Sequence, residues 1–179
     1  NCVTTIGAYA FDGCSDVHFI DFAVSNNVTT IGKYAFSRTS SMVSFSFDET
    51  CQIKTLSEGT FKDAIKLQMT TLPDSFIRVE KYAFENCSSI TEFTLSNNVT
   101  YIDEAVFRGA TSLETLTIPF VGKTLGERVE ATAKETMFGW IFGYNNGDIK
   151  DNASYSIVNS LQNVHITNDK NISSYAFYN

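Results

Sequence analysis

A six-residue block, aliphatic-x-x-Tyr-Ala-Phe, recurs along this chain and limits what it can fold into. It reads Ile6-Gly7-Ala8-Tyr9-Ala10-Phe11, then Ile31-Gly32-Lys33-Tyr34-Ala35-Phe36, then Val79-Glu80-Lys81-Tyr82-Ala83-Phe84 and Ile172-Ser173-Ser174-Tyr175-Ala176-Phe177. Diverged copies run from Leu56 to Phe61 and from Ile102 to Phe107, so successive block Phe residues are 25, 25, 23, 23 and 70 positions apart. A fixed period in the twenties marks a solenoid. Each unit is too small to bury its apolar face alone and does so by stacking on its neighbours.

A second apolar signature follows each block. Its members are Val17, Ile20 and Phe22; Met42, Phe45 and Phe47; Leu67, Thr70 and Leu72; Ile90, Phe93 and Leu95; Leu113, Leu116 and Ile118; and Leu161, Val164 and Ile166. The last two of each set alternate with polar residues, the period of a short half-buried strand. Stacked copies predict a parallel sheet. The repeat starts at Val3, Val28, Ile53, Phe76 and Val99 add a second, shorter extended piece, and the Tyr-Ala-Phe part reads as one helical turn. The slot before that turn holds Gly7, Gly32, Ser57, Glu80, Asp103 or Ser173, a mixture that suits a helix N-terminus and does not require positive φ.

These signatures resemble the BspA-like class of leucine-rich repeats, over residues 3–118 and 161–179. The departures are Thr70 in an apolar strand slot, Gly59 and Ala105 in place of the block Tyr, and Asp169 at the last repeat start. The resemblance implies an α/β fold: a right-handed, horseshoe-shaped solenoid with a parallel concave sheet and short helical turns. It also implies a place at a cell surface or outside the cell, in proteins that adhere to host matrix or to other cells. It implies no catalytic activity and supplies no ligand residues.

Residues 1–179 read as one solenoid domain and as a piece of a longer array. The irregular part is 119–160, because the strands ending at Ile118 and Ile166 are 48 residues apart. One enlarged turn is expected there, with Phe138-Gly139-Trp140-Ile141-Phe142-Gly143 replacing the block. Val129, Ala133 and Met137 have the spacing of a modest amphipathic helix over 127–137. Residues 144–156 have the composition of a polar loop.

A net charge of −7, with no cluster of Lys and Arg, argues against nucleic acid and anionic membrane as partners. No apolar run approaches the roughly 20 residues that span a bilayer. Cys14 and Cys87 occupy equivalent small slots three turns apart, roughly 14 Å at the spacing of stacked strands, beyond disulfide reach. Cys2 and Cys51 are about two turns apart, and no Cys/His spacing resembles a metal site. Free thiols, no metal and no cofactor are expected. His18 and His165 lie about five turns apart and cannot share a catalytic site, so no enzyme is expected. Sequons occur at Asn27, Asn86, Asn98, Asn152 and Asn171, and turn chemistry accounts for Asn27 and Asn98, which occupy equivalent repeat positions.

The candidate binding positions are the outward strand residues Phe19 and Asp21, Ser44 and Ser46, Met69 and Thr71, Glu92 and Thr94, Thr115 and Thr117, and Asn163 and His165. With them go Trp140 and Tyr144 of the enlarged turn, as exposed aromatic anchors. Among these, Phe19, Met69, Glu92, His165, Trp140 and Tyr144 are the residues singled out for a protein or glycan partner, with a host matrix protein as one candidate. The expected state is a monomer. The competing reading of Phe138, Trp140 and Phe142 is that they refill the Phe column. A structural spacer that presents a neighbouring domain is the alternative function.

Overall fold

Every second N–H of the block leaves its own coil and bonds to the next one. Tyr9, Phe11 and Gly13 donate to the carbonyls of Lys33, Ala35 and Ser37 at 3.0, 2.7 and 2.9 Å. The same triad recurs from Tyr34, Phe36 and Arg38 to Glu58, Thr60 and Lys62, then from Gly59, Phe61 and Asp63 to Lys81, Ala83 and Glu85. It recurs once more from Tyr82, Phe84 and Asn86 to Glu104, Val106 and Arg108. An α-helix would use those donors within its own turn, so the expected helical turns do not form. Among the described residues the sole helix is a 3₁₀ turn at Phe138–Phe142.

The block is instead two tight turns in succession. Bonds from three residues back close them, such as Ala10 N–H to Gly7 C=O and Cys14 N–H to Phe11 C=O. The third residue of the first turn has positive φ at Tyr9, Tyr34, Gly59, Tyr82 and Ala105, and that of the second at Gly13, Arg38, Asp63, Asn86 and Gly109. Positive φ at that place is what a type II turn requires. The slot of Gly7 and Gly32 is not among the positive-φ positions, as expected. Asn86 sits at one of these left-handed positions and donates through Nδ2 to Asp63 Oδ1 at 2.7 Å, which gives this sequon a structural use.

The computed structural model describes residues 3–21, 27–47, 50–126, 138–144, 155–170, 172 and 176–177. The helix expected over 127–137 therefore lies outside the described residues, as do most of the polar loop, Cys2, Asn152 and Asn171.

The first, second, fourth and fifth coils contribute a two-residue strand before the block and a longer strand after it, and the third contributes the two-residue strand alone. The short strands are β1 (Thr5–Ile6), β3 (Thr30–Ile31), β5 (Thr55–Leu56), β6 (Arg78–Val79) and β8 (Tyr101–Ile102). The longer ones are β2 (Phe19–Asp21), β4 (Ser44–Ser46), β7 (Glu92–Thr94), β9 (Thr115–Ile118) and β10 (Asn163–Ile166). All of these strands pair in parallel, β1 with β3, β5-β6-β8, β2 with β4, and β7-β9-β10. Both rows of strands are interrupted between the second and third coils, one coil before the repeat shortens from 25 to 23 residues between Phe61 and Phe84.

Between the two rows lies a ladder of aromatic rings. Phe11, Phe36, Phe61, Phe84 and Phe107 stack with centroids 5.1, 5.7, 5.6 and 5.6 Å apart and ring planes within 15°. Phe45 and Phe93 pack against this column from the strand side. The small slot after the block is closed at Thr39, Ala64, Cys87 and Ala110, all fully buried, while Cys14 is half-buried. Cys14, Cys51 and Cys87 are free thiols.

The strands β9 and β10 pair directly, Thr115 opposite Asn163 and Ile118 opposite Ile166, although 48 residues separate them. The 3₁₀ turn fills the gap in the column. Phe107 N–H donates to Ile141 C=O at 2.8 Å on one side, and Phe138 N–H donates to Ala176 C=O at 2.7 Å on the other. Phe138 then packs 5.5 Å from Phe142 and 5.0 Å from Phe177.

Candidate binding face and cleft

The outward residues of the longer strands form one face, and its chemistry is uneven. Phe19 is 72% exposed and stands in register with Ser44. Ser44, Ser46, Thr71, Glu92, Thr94, Asn163 and His165 are exposed, and Thr115 and Thr117 half-exposed. Among the described residues this face carries no Lys or Arg at an outward strand position.

Met69 departs from the expected placement. It is buried, 7% exposed, and Thr70 faces solvent in its stead. The cause is local to the third coil: Thr70 stands where the neighbouring coils put Phe45 and Phe93, and a hydroxyl has no partner in that aromatic layer. A one-residue slip of a strand turns its side chains over, so Met69 takes the inward role, Thr70 and Thr71 both face out, and alternation fails. Pro73 follows at once and removes a ladder donor. No strand forms over 67–70, and only an isolated bridge, Thr71 with Thr94, continues the sheet.

A cleft of about 540 Å³ opens at that break. Ser44, Phe45, Ser46 and Phe47 line one side, and the segment from Gln68 to Asp74 lines the other. Phe45, Met69 and Leu72 give it an apolar interior, while exposed Ser44, Ser46, Gln68, Thr70 and Thr71 give it a rim of hydroxyls and one amide. The third coil is fastened at the two ends of this segment. Gln68 N–H bonds to Val43 C=O at 2.9 Å, Thr94 N–H to Thr70 C=O at 2.8 Å, and Thr71 Oγ1 to Thr94 C=O at 3.1 Å. Asn98 Nδ2 holds the Asp74 carbonyl at 2.9 Å, a structural use for a second sequon.

Trp140 and Tyr144 are not exposed anchors. Trp140 is 8% exposed and its indole N–H donates to Ile102 C=O at 3.2 Å, and Tyr144 is 4% exposed and stacks on Tyr155 at 4.9 Å. Gly139 permits this packing, because a Cβ there would lie 2.1 Å from the Tyr155 ring. The core-filling reading of Phe138, Trp140 and Phe142 therefore describes this turn. Glu92, Phe19 and His165 stay on the strand face, with His165 remote from the cleft on the last strand.

The block face is charged but internally matched. Arg38 bonds Asp12 through two nitrogens, Glu58 joins Lys33 and Lys81, and Glu85 joins Lys62 and Arg108. Each pair spans adjacent coils. Burial works against the Glu58 anion, yet bonds from Lys33 and Tyr34 and the Lys81 charge hold its carboxyl below the ordinary value. Tyr82 lies among Lys62, Lys81 and Arg108 at 5.4, 5.4 and 5.1 Å from its ring centre. These groups stitch coils together. Sequence reasoning missed the cleft, although Thr70 and Pro73 were its visible signals. Among the described residues no cluster of His, Cys, Asp and Glu could hold a metal, and no helix is long and apolar enough to cross a membrane.

Parallel coils of strand, double turn and short strand around a Phe column define a leucine-rich-repeat solenoid. Six copies of the BspA type Leucine rich repeat region match residues 3–130. The chain belongs to that family. Its fold is similar to that of a leucine rich cell surface protein from Faecalibacterium prausnitzii A2-165, with 25% identity and a TM-score of 0.58 over 65% of this chain and 30% of that one. A leucine-rich repeat protein from Bacteroides ovatus ATCC 8483 shows 22% identity and a TM-score of 0.51 over 68% of this chain and 42% of the other. The T. pallidum leucine rich repeat protein shows 20% and 0.49, over 64% and 62%. The chain thus spans less than two thirds of each of these structures. No curated protein matches it significantly.

Proposed function

We propose that this chain is an extracellular or cell-surface interaction module, adhesin-like and without catalytic activity, that holds a partner on its strand face. The observation that carries this reading is the cleft at the sheet break, beside the 72% exposed Phe19. Large exposed aromatics and apolar pockets are the usual anchors of interfaces, whereas the charges of the block face are used between coils. The surface location is supported by the F. prausnitzii relative, a cell surface protein. The polar run from Thr94 to His165 favours the second reading, a spacer that presents a neighbouring domain.

Surface plasmon resonance against immobilised fibronectin and other matrix proteins separates the two. Binding is expected to fall with Ser44→Arg and Thr94→Arg on the strand face, and to persist with Lys54→Glu before β5. Binding that ignores both strand-face changes, at unchanged thermal stability, contradicts the proposal and leaves the spacer.

A further inference from the structure

We propose that the cleft between β4 and the Gln68 to Asp74 segment seats one apolar side chain of an extended, Lys- or Arg-bearing peptide, whose cations meet Asp74 and Glu92. This deepens the strand-face reading and rests on it. The volume of about 540 Å³ lies within the roughly 300–1,000 Å³ of small-ligand sites. It accommodates part of a flexible segment and not a folded surface.

Three observations select that occupant. The interior, walled by Phe45, Phe47, Met69 and Leu72, suits an apolar side chain. The backbone there is not laddered to β4: among the described residues the N–H groups of Met69 and Thr70 make no hydrogen bond, and the Thr70 carbonyl is bonded to Thr94 N–H of the next coil. A ladder between this segment and β4 would close the cleft, and its absence leaves room for an extended segment.

Charge decides the flanks. Asp74 lines the cleft, and Glu92 opens β7 on the next coil, two residues before the Thr94 that pairs with Thr71. Both are exposed, and neither carboxylate makes an ion pair or hydrogen bond among the described residues. On the block face, by contrast, Asp12, Glu58 and Glu85 are all engaged by cations of adjacent coils. Two unengaged carboxylates on a face with no outward Lys or Arg attract cationic segments and repel acidic ones. A neutral glycan could use the hydroxyl rim, but it would leave the apolar interior unfilled and the carboxylates unused.

Panning random linear peptides on the immobilised chain tests this, alongside an array of neutral glycans. The expected result is enrichment of peptides with an apolar residue flanked by Lys or Arg, whose affinity falls as salt rises. Glu92→Lys and Asp74→Lys should each weaken the best peptide about tenfold while leaving the melting temperature unchanged, since both side chains are exposed. Enrichment without basic residues, no enrichment, or indifference to both charge reversals overturns the proposal. Glycan binding alone also overturns it, yet it would leave the strand-face reading standing, whereas loss of all binding partners for that face would remove both.

Discussion

The ring of Tyr34 occupies the space that a side chain at residue 59 would need. A Cβ added to Gly59 would stand 2.3 Å from Tyr34 Cε1 and 2.4 Å from Cδ1, and the residue has φ +60°. Tyr9 and Tyr34 stack at 5.4 Å with ring planes 6° apart, and the third coil gives up its own Tyr. In its place the Tyr34 hydroxyl donates to Glu58 Oε1 at 2.8 Å, on the same carboxylate that pairs with Lys33 and Lys81.

Gly59→Ala should therefore cost more than the roughly 1–2 kcal/mol of a left-handed Cβ. In a Tyr34→Ala background that excess should vanish, a coupling measurable by urea denaturation of the four variants. Strictly additive costs would show that the ring does not block the site.

Phe84 is fully buried between Phe61 and Phe107, with Phe93 4.7 Å away. Its replacement by Ala should destabilise the chain by about 3–5 kcal/mol, as for other buried aromatics. An unchanged urea midpoint would mean that the column does not hold the coils together.

Burial, with the Asp103 carboxylate next, raises the pKa of Glu104 above its ordinary 4.5. A carboxyl whose pKa rises on folding subtracts stability once pH exceeds the unfolded value, and subtracts none below it. Glu104→Gln should thus raise the melting temperature at pH 7, with the gain disappearing as pH falls below 4.5. A gain independent of pH would assign the effect to packing.

Cys87 is fully buried, burial pushes its thiol pKa up, and Sγ lies 3.1 Å from Phe61 C=O. Iodoacetamide should label half-buried Cys14 in the native chain and reach Cys87 only after unfolding. Labelling followed by mass spectrometry reads this directly. Rapid native labelling of Cys87 would contradict its place in the core.

The coil was legible because Phe11, Phe36, Phe61, Phe84 and Phe107 fall at one phase of a short period, and burial of a column demands that phase. The conformation of the block was not. Its composition suits a helical turn as well as two tight turns, and what decides is the bonding of Tyr34, Phe36 and Arg38 to another coil 24 residues away, which no local pattern records. Of the candidate site, Phe19, Glu92 and His165 were placed by simple alternation. Met69 was misplaced because alternation was carried through Thr70, a polar residue in an inward slot. Trp140 and Tyr144 were misplaced because an unmatched aromatic segment reads alike whether it refills a column or projects from it.

Amide hydrogen exchange resolved by residue tests the cleft, on which the account of this module depends. The N–H groups of Met69 and Thr70 should exchange far faster than that of Leu116, which lies in β9 with a paired strand on each side. Slow exchange at Met69 and Thr70, equal to that of Leu116, would mean that the sheet runs unbroken through the third coil and that the cleft does not exist.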